Sequence, residues 1–199
     1  MHCDVYMIPT EDQCRQLWEK YHLPEKKRRH VELVACVARF LSQQLTINNS
    51  QLTINHSLLV AGALLHDIDS KVPKLSGEKH PDAGVRVLKI EGLAKIAQLI
   101  KTHALHTILD RHSCPKTLEE KILFLADKMV KYDIITVDER FRLWGNESLS
   151  DAEQRVLRAA YPKVKALEKE LLYLAGIGSP GQVAKLIMEE YTNKKKEGV

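Results

Sequence analysis

The chain has 199 residues, of which 44% are hydrophobic and 28% charged, and this composition is typical of one globular domain with a full hydrophobic core. Its formal net charge of +4 suits anionic small molecules but is too small for a protein dedicated to nucleic-acid binding. The four cysteines form no CxxC pair, which excludes a zinc finger and indicates free thiols in a reducing compartment. No secretory signal is evident, and the apolar run at 58–65 is too short to span a bilayer, so we expect a cytoplasmic protein without a membrane partner.

Helical periodicity dominates the first part of the chain. We predict a short helix at 11–20 and a long helix that begins at Pro24, because the fixed φ of proline suits the first helical position. Asn55 can cap the next helix, which carries the apolar run 58–65. Between these helices QLTINNS is followed by its near copy QLTINHS, at 44–57, and we interpret this duplication as an expanded loop without chemistry of its own.

The rest of the chain also has helical patterns. A segment rich in Pro, Gly, Ser and Lys at 70–79 predicts a loop. Two later sequences have the capping-box pattern that starts a helix, Thr117 with Glu120 and Ser150 with Glu153. Five further helices are predicted, at 81–91, at 93–103, at 117–132, from 150 to Gly176 or Gly178, and from Ser179-Pro180 onward. Alternating strand patterns are scarce, so the predicted fold class is all-α.

Several predicted helices or helix ends point an ionisable residue inward. For example, His30 lies in helical step with Leu33 and Val37, and Asp127 lies four residues after Leu123. The residues of this kind are His30, His66, Asp67, His80, His103 and Asp127. A lone buried carboxylate would cost several kcal/mol or take up a proton. Convergence on a divalent metal would relieve this cost at all of these positions, so the pattern predicts a metal site.

The residue types narrow the choice of metal. Histidine and aspartate ligands without cysteine favour Fe, Mn, Co, Ni or Zn, leave Mg possible, and argue against a thiolate site. The number of ligands suits one or two ions, because a carboxylate such as that of Asp67 can bridge two ions whereas a histidine cannot.

The order His30, His66-Asp67 and Asp127, with the local sequences LLHD and ADK, resembles the HD-domain superfamily of metal-dependent phosphohydrolases. The segments KHPDAGVRVL and IKTH each carry a further histidine. They are similar to the HD group that hydrolyses dinucleoside tetraphosphates and to HD domains attached to molybdopterin cytidylyltransferases. The stretch LADKMVKYDIITVDERF is more similar to the second of these groups.

The resemblance implies an HD-type helical bundle with additional C-terminal helices. It places a metal-binding core at about 24–135 and a helical extension at about 150–199, within a single domain at 1–199. It also implies two metal sites, one formed by His30, His66, Asp67 and Asp127, and the other by Asp67 as a bridge with His80 and His103. His106 competes with His103 for the last position.

The function implied by the resemblance is hydrolysis of a phosphoester or phosphoanhydride by metal-activated water. Asp67 and Lys71 are the predicted catalytic residues. The sequence HDIGK, common in the family, stands here as HDIDSK, so that Lys71 is shifted by one residue and Asp69 replaces the glycine. Asp69 is interpreted either as an acceptor for a ligand imidazole or as an exposed turn residue.

The expected partner is an anionic small molecule, and the resemblance implies that it is a nucleotide. Candidates for binding its phosphate are Lys74, Lys79, Arg86 and Arg140, with Lys128 and the run KKRR at 26–29 as further cations. Two alternatives stay open: a di-iron oxygenase that uses the same six ligands, and a non-catalytic helical binding module with a structural metal. Nucleic-acid binding is disfavoured, because no aromatic residues interleave with the basic ones.

Overall fold

The computed structural model describes residues 7–196, with side chains as far as residue 189. The first six and the last three residues of the predicted domain, Cys3 among them, lie outside this range. The α-helices are, in chain order, α1 Glu11–Lys20, α2 Glu25–Asn48, α3 His56–Leu65, α4 Asp82–Ile90, α5 Ala94–Ile100, α6 Leu118–Lys128, α7 Val137–Gly145, α8 Asp151–Leu174 and α9 Gly181–Lys196. Short 3₁₀ helices lie at Ile68–Lys71 and Leu105–Leu109. Within the described range the one strand-type contact is an isolated bridge between Val130 and Ile134, so the all-α prediction is confirmed.

The predicted helix starts have the expected caps. The hydroxyls of Thr117 and Ser150 each accept a hydrogen bond from the backbone N–H three residues on, and the glutamate at that position closes a capping box. The side chain of Asn55 accepts from the Leu58 N–H at 3.0 Å and starts α3. Pro24 precedes the first residue of α2. The side chains of Asn55, Thr117 and Ser150 satisfy backbone N–H groups that have no partner within their own helix.

Some helix boundaries differ from the prediction. Helix α7, Val137–Gly145, was not predicted. Its start is nevertheless capped like the others, because the hydroxyl of Thr136 accepts a hydrogen bond from the N–H of Glu139. Helix α6 ends at Lys128, earlier than predicted. Helix α5 ends at Ile100, so His103 lies in the turn that follows the helix rather than on the helix itself.

The duplicated segment is only partly a loop. Helix α2 continues to Asn48, because Leu45 extends its apolar stripe into the core and is fully buried. The prediction of an expanded loop is therefore wrong for most of the first copy. The side-chain amides of Asn48 and Asn49 donate to backbone carbonyls at the C-terminal end of α8, at 2.9 and 2.6 Å. The second copy supplies a short connection and the cap of α3.

Helix α3 lies in the middle of the bundle. Residues Leu59–Leu65 are all buried, as expected for a helix that is apolar on every side, and α3 packs against α1, α2, α5 and α6. Gly62 permits the close approach of α5, because a Cβ atom there would overlap the side chain of Leu99. One hydrophobic core joins residues from Cys14 to Val183, so α8 and α9 pack on the same core as the earlier helices. Among the described helices, none combines the length and the apolar content needed to cross a membrane.

Candidate metal centre

The ends of several helices bring the six predicted ligands together. Helix α3 ends at Leu65, after which His66 caps the helix and Asp67 lies in the turn before the first 3₁₀ helix. This turn lets two adjacent side chains face the same space. The start of α2, the segment before α4, the turn after α5 and the last turn of α6 contribute His30, His80, His103 and Asp127, respectively.

One group of donor atoms surrounds Asp127. Its Oδ1 atom lies 3.0 Å from Nε2 of His30 and 3.5 Å from Nε2 of His66. The Oδ2 atom of Asp67 lies 3.8 and 3.7 Å from the same two nitrogens. Two imidazoles and two carboxylates therefore face one small volume, in which His66 is fully buried.

A second group lies on the other side of Asp67. The Oδ1 atom of Asp67 is 3.6 Å from Nε2 of His80, and that nitrogen is 2.9 Å from Nε2 of His103. The two oxygens of Asp67 thus face different groups of histidines. This is the arrangement expected of a carboxylate that bridges two ions.

The imidazoles of His66 and His103 are oriented by hydrogen bonds at Nδ1, the ring nitrogen that faces away from the cluster. Nδ1 of His66 donates to the carbonyl of Ala63 at 2.7 Å, and Nδ1 of His103 donates to the carbonyl of Ile100 at 2.5 Å. In both rings the proton is then on Nδ1, and Nε2 carries a lone pair. Nε2 of His66 is buried and has no hydrogen-bond partner among the described residues, which is the state of a nitrogen suited to bind a cation.

The separations between donors fit a coordination sphere. Metal–nitrogen bonds of about 2.1 Å place neighbouring ligands of an octahedral ion roughly 3.0 Å apart. Among the described residues, three sets each contain three donor atoms that lie within 4.8 Å of one another. The sets are His30, His66 and Asp67; His66, His103 and Asp127; and Asp67, His80 and His103. The donor set, imidazole and carboxylate without thiolate, suits a divalent transition metal.

The charge states of the cluster also suit a metal. Burial opposes ionisation of Asp67, but the electrostatic influence of His66 and Lys27 outweighs it and holds the pKa of Asp67 below its usual range. Burial likewise opposes ionisation of Asp127, where Lys128 is the main opposing influence and lowers the pKa. The Nζ atoms of these two lysines lie 2.6 Å from the carboxylates. Burial, reinforced by two nearby imidazoles, lowers the pKa of His103 and keeps it neutral.

An open cavity of about 550 Å³ lies over the cluster. Besides candidate ligands, its wall includes five cations and two aromatic rings: Lys26, Lys27, Lys128, Lys131, Arg140, Tyr132 and Trp144. His106 also lines the cavity but is exposed and belongs to none of the three donor sets, whereas His103 belongs to two. The structure therefore favours His103 over its competitor.

Most of the cations predicted from the loop at 70–79 lie away from this cavity. Lys71, Lys74 and Lys79 are exposed and are not among the lining residues. Arg86 donates to Glu78 at 2.7 Å and to a backbone carbonyl at 2.8 Å, so its guanidinium is already occupied. The loop follows the His-Asp pair in sequence, but its path carries these side chains outward. Of the four predicted phosphate-binding residues, Arg140 is the one that the described structure places at the cavity.

Asp69 is one of the residues that orient the cluster. It is 4% exposed, and both of its carboxylate oxygens lie 3.1 Å from Nδ1 of His80. Its interpretation as an acceptor for a ligand imidazole thus agrees with the structure, and the exposed-turn alternative is wrong.

Sequence reasoning missed the two aromatic rings of the cavity. Trp144 lies one helical turn after Arg140 on α7, and its ring centroid is 4.2 Å from the guanidinium carbon. The Thr-x-x-Glu pattern at Thr136 would have predicted α7 and thereby placed these two residues on one face. The exposed ring of Tyr132 lies beside Lys26, whose Nζ atom is 4.9 Å from the ring centroid.

Comparisons with known proteins identify the family of the chain. The HD domain family matches residues 28–131, which is more than half of the chain and includes all six candidate ligands. A curated tRNA (cytidine(56)-2'-O)-methyltransferase from Picrophilus torridus is 29% identical over 184 residues, covering 86% of this chain and 49% of the relative. The chain therefore spans about half the length of that relative. No solved structure matches the chain.

Proposed function

Because the chain belongs to the HD-domain family, we propose that it is a metal-dependent phosphohydrolase acting on a phosphoester or phosphoanhydride of a nucleotide-like small molecule. The observation that carries this proposal is the convergence of four imidazoles and two carboxylates beneath an open cavity. His80 is 39% exposed at its side chain, so the cluster is open toward the cavity. A closed, purely structural site would have no such opening.

The proposed metal ligands divide into two sets that share Asp67. One set is His30, His66, Asp67 and Asp127, and the other is Asp67, His80 and His103. When bound there, divalent ions would lower the pKa of a coordinated water toward neutrality and neutralise charge on the phosphoryl oxygens. Fe, Mn, Co, Ni and Zn suit these ligands, and Mg is possible.

The chain's own side chains would complete the site. Lys27 and Lys128 lie against the carboxylates of the cluster, where they supply positive charge beside the reacting phosphoryl group. A catalytic role for Lys71 finds no support in its position, because the side chain is exposed outside the cavity wall. We propose that Lys27 and Lys128 take this role and that Asp67 orients both sets of ligands. We further propose that the extension at 150–199 belongs to the same domain as the core.

A phosphate on RNA is a second candidate substrate. An adjoining groove shares Lys26, His30, Lys131 and Tyr132 with the cavity and adds Arg29 and one acidic residue, Glu25. This basic surface with one exposed ring would accommodate further nucleotides beyond the reacting phosphate. The Picrophilus relative is named for a reaction on tRNA, which makes RNA ends a reasonable part of any substrate screen.

The test is elemental analysis of the purified protein together with a hydrolysis screen in which the products are separated by chromatography. The screen covers nucleoside mono-, di- and triphosphates, dinucleoside polyphosphates, cyclic nucleotides and RNA oligomers with terminal phosphates, each with Mn, Fe, Co, Ni or Mg. We expect stoichiometric metal and hydrolysis of at least one compound. Oxygen consumption by the iron-loaded protein without hydrolysis of any of these compounds would instead indicate the oxygenase alternative. Bound metal with neither activity would indicate a structural site.

A further inference from the structure

Arg140 is a buried cation on the wall of the cavity. Its side chain is on α7, the residue is 8% exposed, and neither Nε nor Nη1 has a hydrogen-bond partner among the described residues. A guanidinium remains charged at any ordinary pH. Asp127, Glu147 and Asp67 act on this charge through space. Burying a guanidinium without a hydrogen-bonded counter-ion is nevertheless unfavourable, so the position suits an anion that can accept its hydrogen bonds.

Of the other four cations of the cavity wall, Lys26 lies beside the ring of Tyr132, and the remaining three differ from Arg140 in having a carboxylate partner. Lys27 and Lys128 each donate to a carboxylate of the cluster at 2.6 Å. Lys131 donates to Glu147 at 2.7 Å. Their charges are at least partly compensated within the chain, whereas the two Arg140 nitrogens named above are open to a ligand.

The aromatic neighbours of Arg140 hold its plane in place. Trp144 stacks against the guanidinium at 4.2 Å, and Phe141 packs edge-on against the indole with the ring centroids 5.3 Å apart. Arg140 and Trp144 line the same cavity as Asp127, His80 and the other candidate ligands. A planar guanidinium held in this way can donate two hydrogen bonds to neighbouring oxygens of a phosphoryl group.

We propose that Arg140 binds the phosphoryl oxygens of the substrate, with the side chain held against Trp144 for two-point recognition of phosphate or pyrophosphate. The identity of this anion as the substrate's phosphate rests on the proposed function, whereas the anion site itself rests on the burial and open donors of Arg140. The alternative is a purely structural role in which Arg140 serves only to pack on Trp144.

The experiment compares Arg140→Met and Arg140→Lys with the control Arg142→Met in full-length protein loaded with Mn²⁺. Arg142 lies on the same helix, is exposed, and is paired with Glu139. Affinity for inorganic phosphate and pyrophosphate is measured by calorimetry, alongside metal content and Tm. We expect Arg140→Met to keep its metal and to lose at least tenfold in pyrophosphate affinity. Arg140→Lys keeps the charge without the planar guanidinium, so its pyrophosphate affinity should lie between those of the wild type and Arg140→Met. Arg142→Met should have the affinity of the wild type.

Thermal stability separates anion binding from a structural role. In phosphate-free buffer we expect Arg140→Met to have a Tm equal to or above that of the wild type, because a buried charge without a hydrogen-bonded counter-ion has been removed. Added pyrophosphate should raise the Tm of the wild type and leave that of Arg140→Met unchanged. A variant with lower Tm and wild-type pyrophosphate affinity would establish the structural role and overturn the proposal. If Arg140→Met does not fold, Arg140→Lys decides, since unchanged affinity in that variant overturns the proposal.

The same data distinguish this inference from the proposed function. If the metal-loaded wild type hydrolyses none of the compounds but binds pyrophosphate through Arg140, the anion site stands and the hydrolase proposal fails. If the wild type hydrolyses a substrate and Arg140→Met has the same kcat, KM and pyrophosphate affinity, the hydrolase proposal stands and the role of Arg140 is disproved. A wild type that binds neither phosphate nor pyrophosphate also disproves it.

Discussion

Asp69 holds the imidazole of His80 by Nδ1, with both carboxylate oxygens at 3.1 Å, and this contact directs Nε2 of the ring toward His103, 2.9 Å away. Partners of this kind typically account for a 10- to 100-fold change in metal affinity. We therefore expect Asp69→Ala to weaken metal binding by about 10- to 100-fold while leaving the helix content unchanged. Competition with a chromophoric chelator measures the effect for each ion.

The matched control for this prediction is Asp151→Ala, which removes an exposed aspartate at the start of α8. It should bind metal as the wild type does. If Asp69→Ala retained full affinity for two ions, the proposed orienting role of Asp69 would have to be abandoned.

Loss of a central ligand should have a larger effect than loss of an orienting residue. We expect His66→Ala and Asp67→Ala each to remove bound metal and turnover, because His66 is fully buried and Asp67 faces both groups of histidines. Elemental analysis and hydrolysis of the substrate found in the screen are the measurements. The control His112→Ala changes an exposed imidazole outside the cluster. Full metal content and activity in either ligand variant would show that the ligand assignment is mistaken.

Chelation should destabilise the folded protein, since the donor atoms are brought together only by folding. A metal at 100 times its Kd stabilises the native state by about 2.7 kcal/mol. We expect EDTA to lower the Tm of the wild type by several degrees and re-addition of Mn²⁺ to restore it. Asp67→Ala should show no such response. A wild-type Tm that is the same with and without EDTA would argue that the cluster does not bind metal in solution.

The parts of the site that could be predicted are those that depend on neighbouring residues in the sequence rather than on how distant segments fold together. The sequence predicts that His30 and Asp127 face the core because each lies in helical step with apolar neighbours, and that periodicity depends only on the local sequence. The outcome for Arg86 could not be predicted, because its pairing with Glu78 depends on how the loop at 70–79 folds back.

For the helices, too, the features encoded by the local sequence are the ones that could be predicted. Capped starts such as Thr117 were predicted correctly, since a capping box is a local hydrogen-bond pattern. The first copy of the duplication was assigned to a loop because its polar and β-branched residues disfavour a helix. Burial of Leu45 and the contacts of Asn48 and Asn49 with the end of α8 overrode that preference.

A pH-dependent contribution to stability is expected at Glu91. Hydrogen bonds from Lys20 and Tyr21 lower the pKa of Glu91 below its usual value of 4.5. A carboxyl group whose pKa is lower in the folded state stabilises the protein above its unfolded pKa and loses that contribution as the pH falls through the folded value. We expect Glu91→Gln to cost about 1 kcal/mol at pH 7.

The difference between wild type and Glu91→Gln should remain constant from pH 7 to about pH 5.5 and shrink below about pH 4.5. Urea unfolding at a series of pH values measures it. The control Glu32→Gln changes an exposed glutamate on α2. A difference that grew as the pH fell would contradict the stated direction of the pKa shift.

The close packing of α3 against α5 gives a prediction about the fold itself. Replacing a helical glycine with alanine normally stabilises a helix by about 1 kcal/mol. At Gly62, however, the added Cβ would overlap Cδ2 of Leu99 and approach its Cγ to 3.2 Å, and Leu99 is itself buried. We expect Gly62→Ala to destabilise the protein by about 1–3 kcal/mol through overpacking, as measured by urea unfolding.

A double-mutant cycle identifies the cause. If overlap with Leu99 is responsible, Gly62→Ala combined with Leu99→Ala should cost less than the sum of the two single changes. Gly145→Ala is the control, because nothing lies within 4 Å of a Cβ added at that position at the end of α7. A Gly62→Ala variant as stable as the Gly145→Ala control would mean that α5 can move away from α3 without loss. The close approach of these two helices would then not fix the turns after them, where His66 and His103 lie.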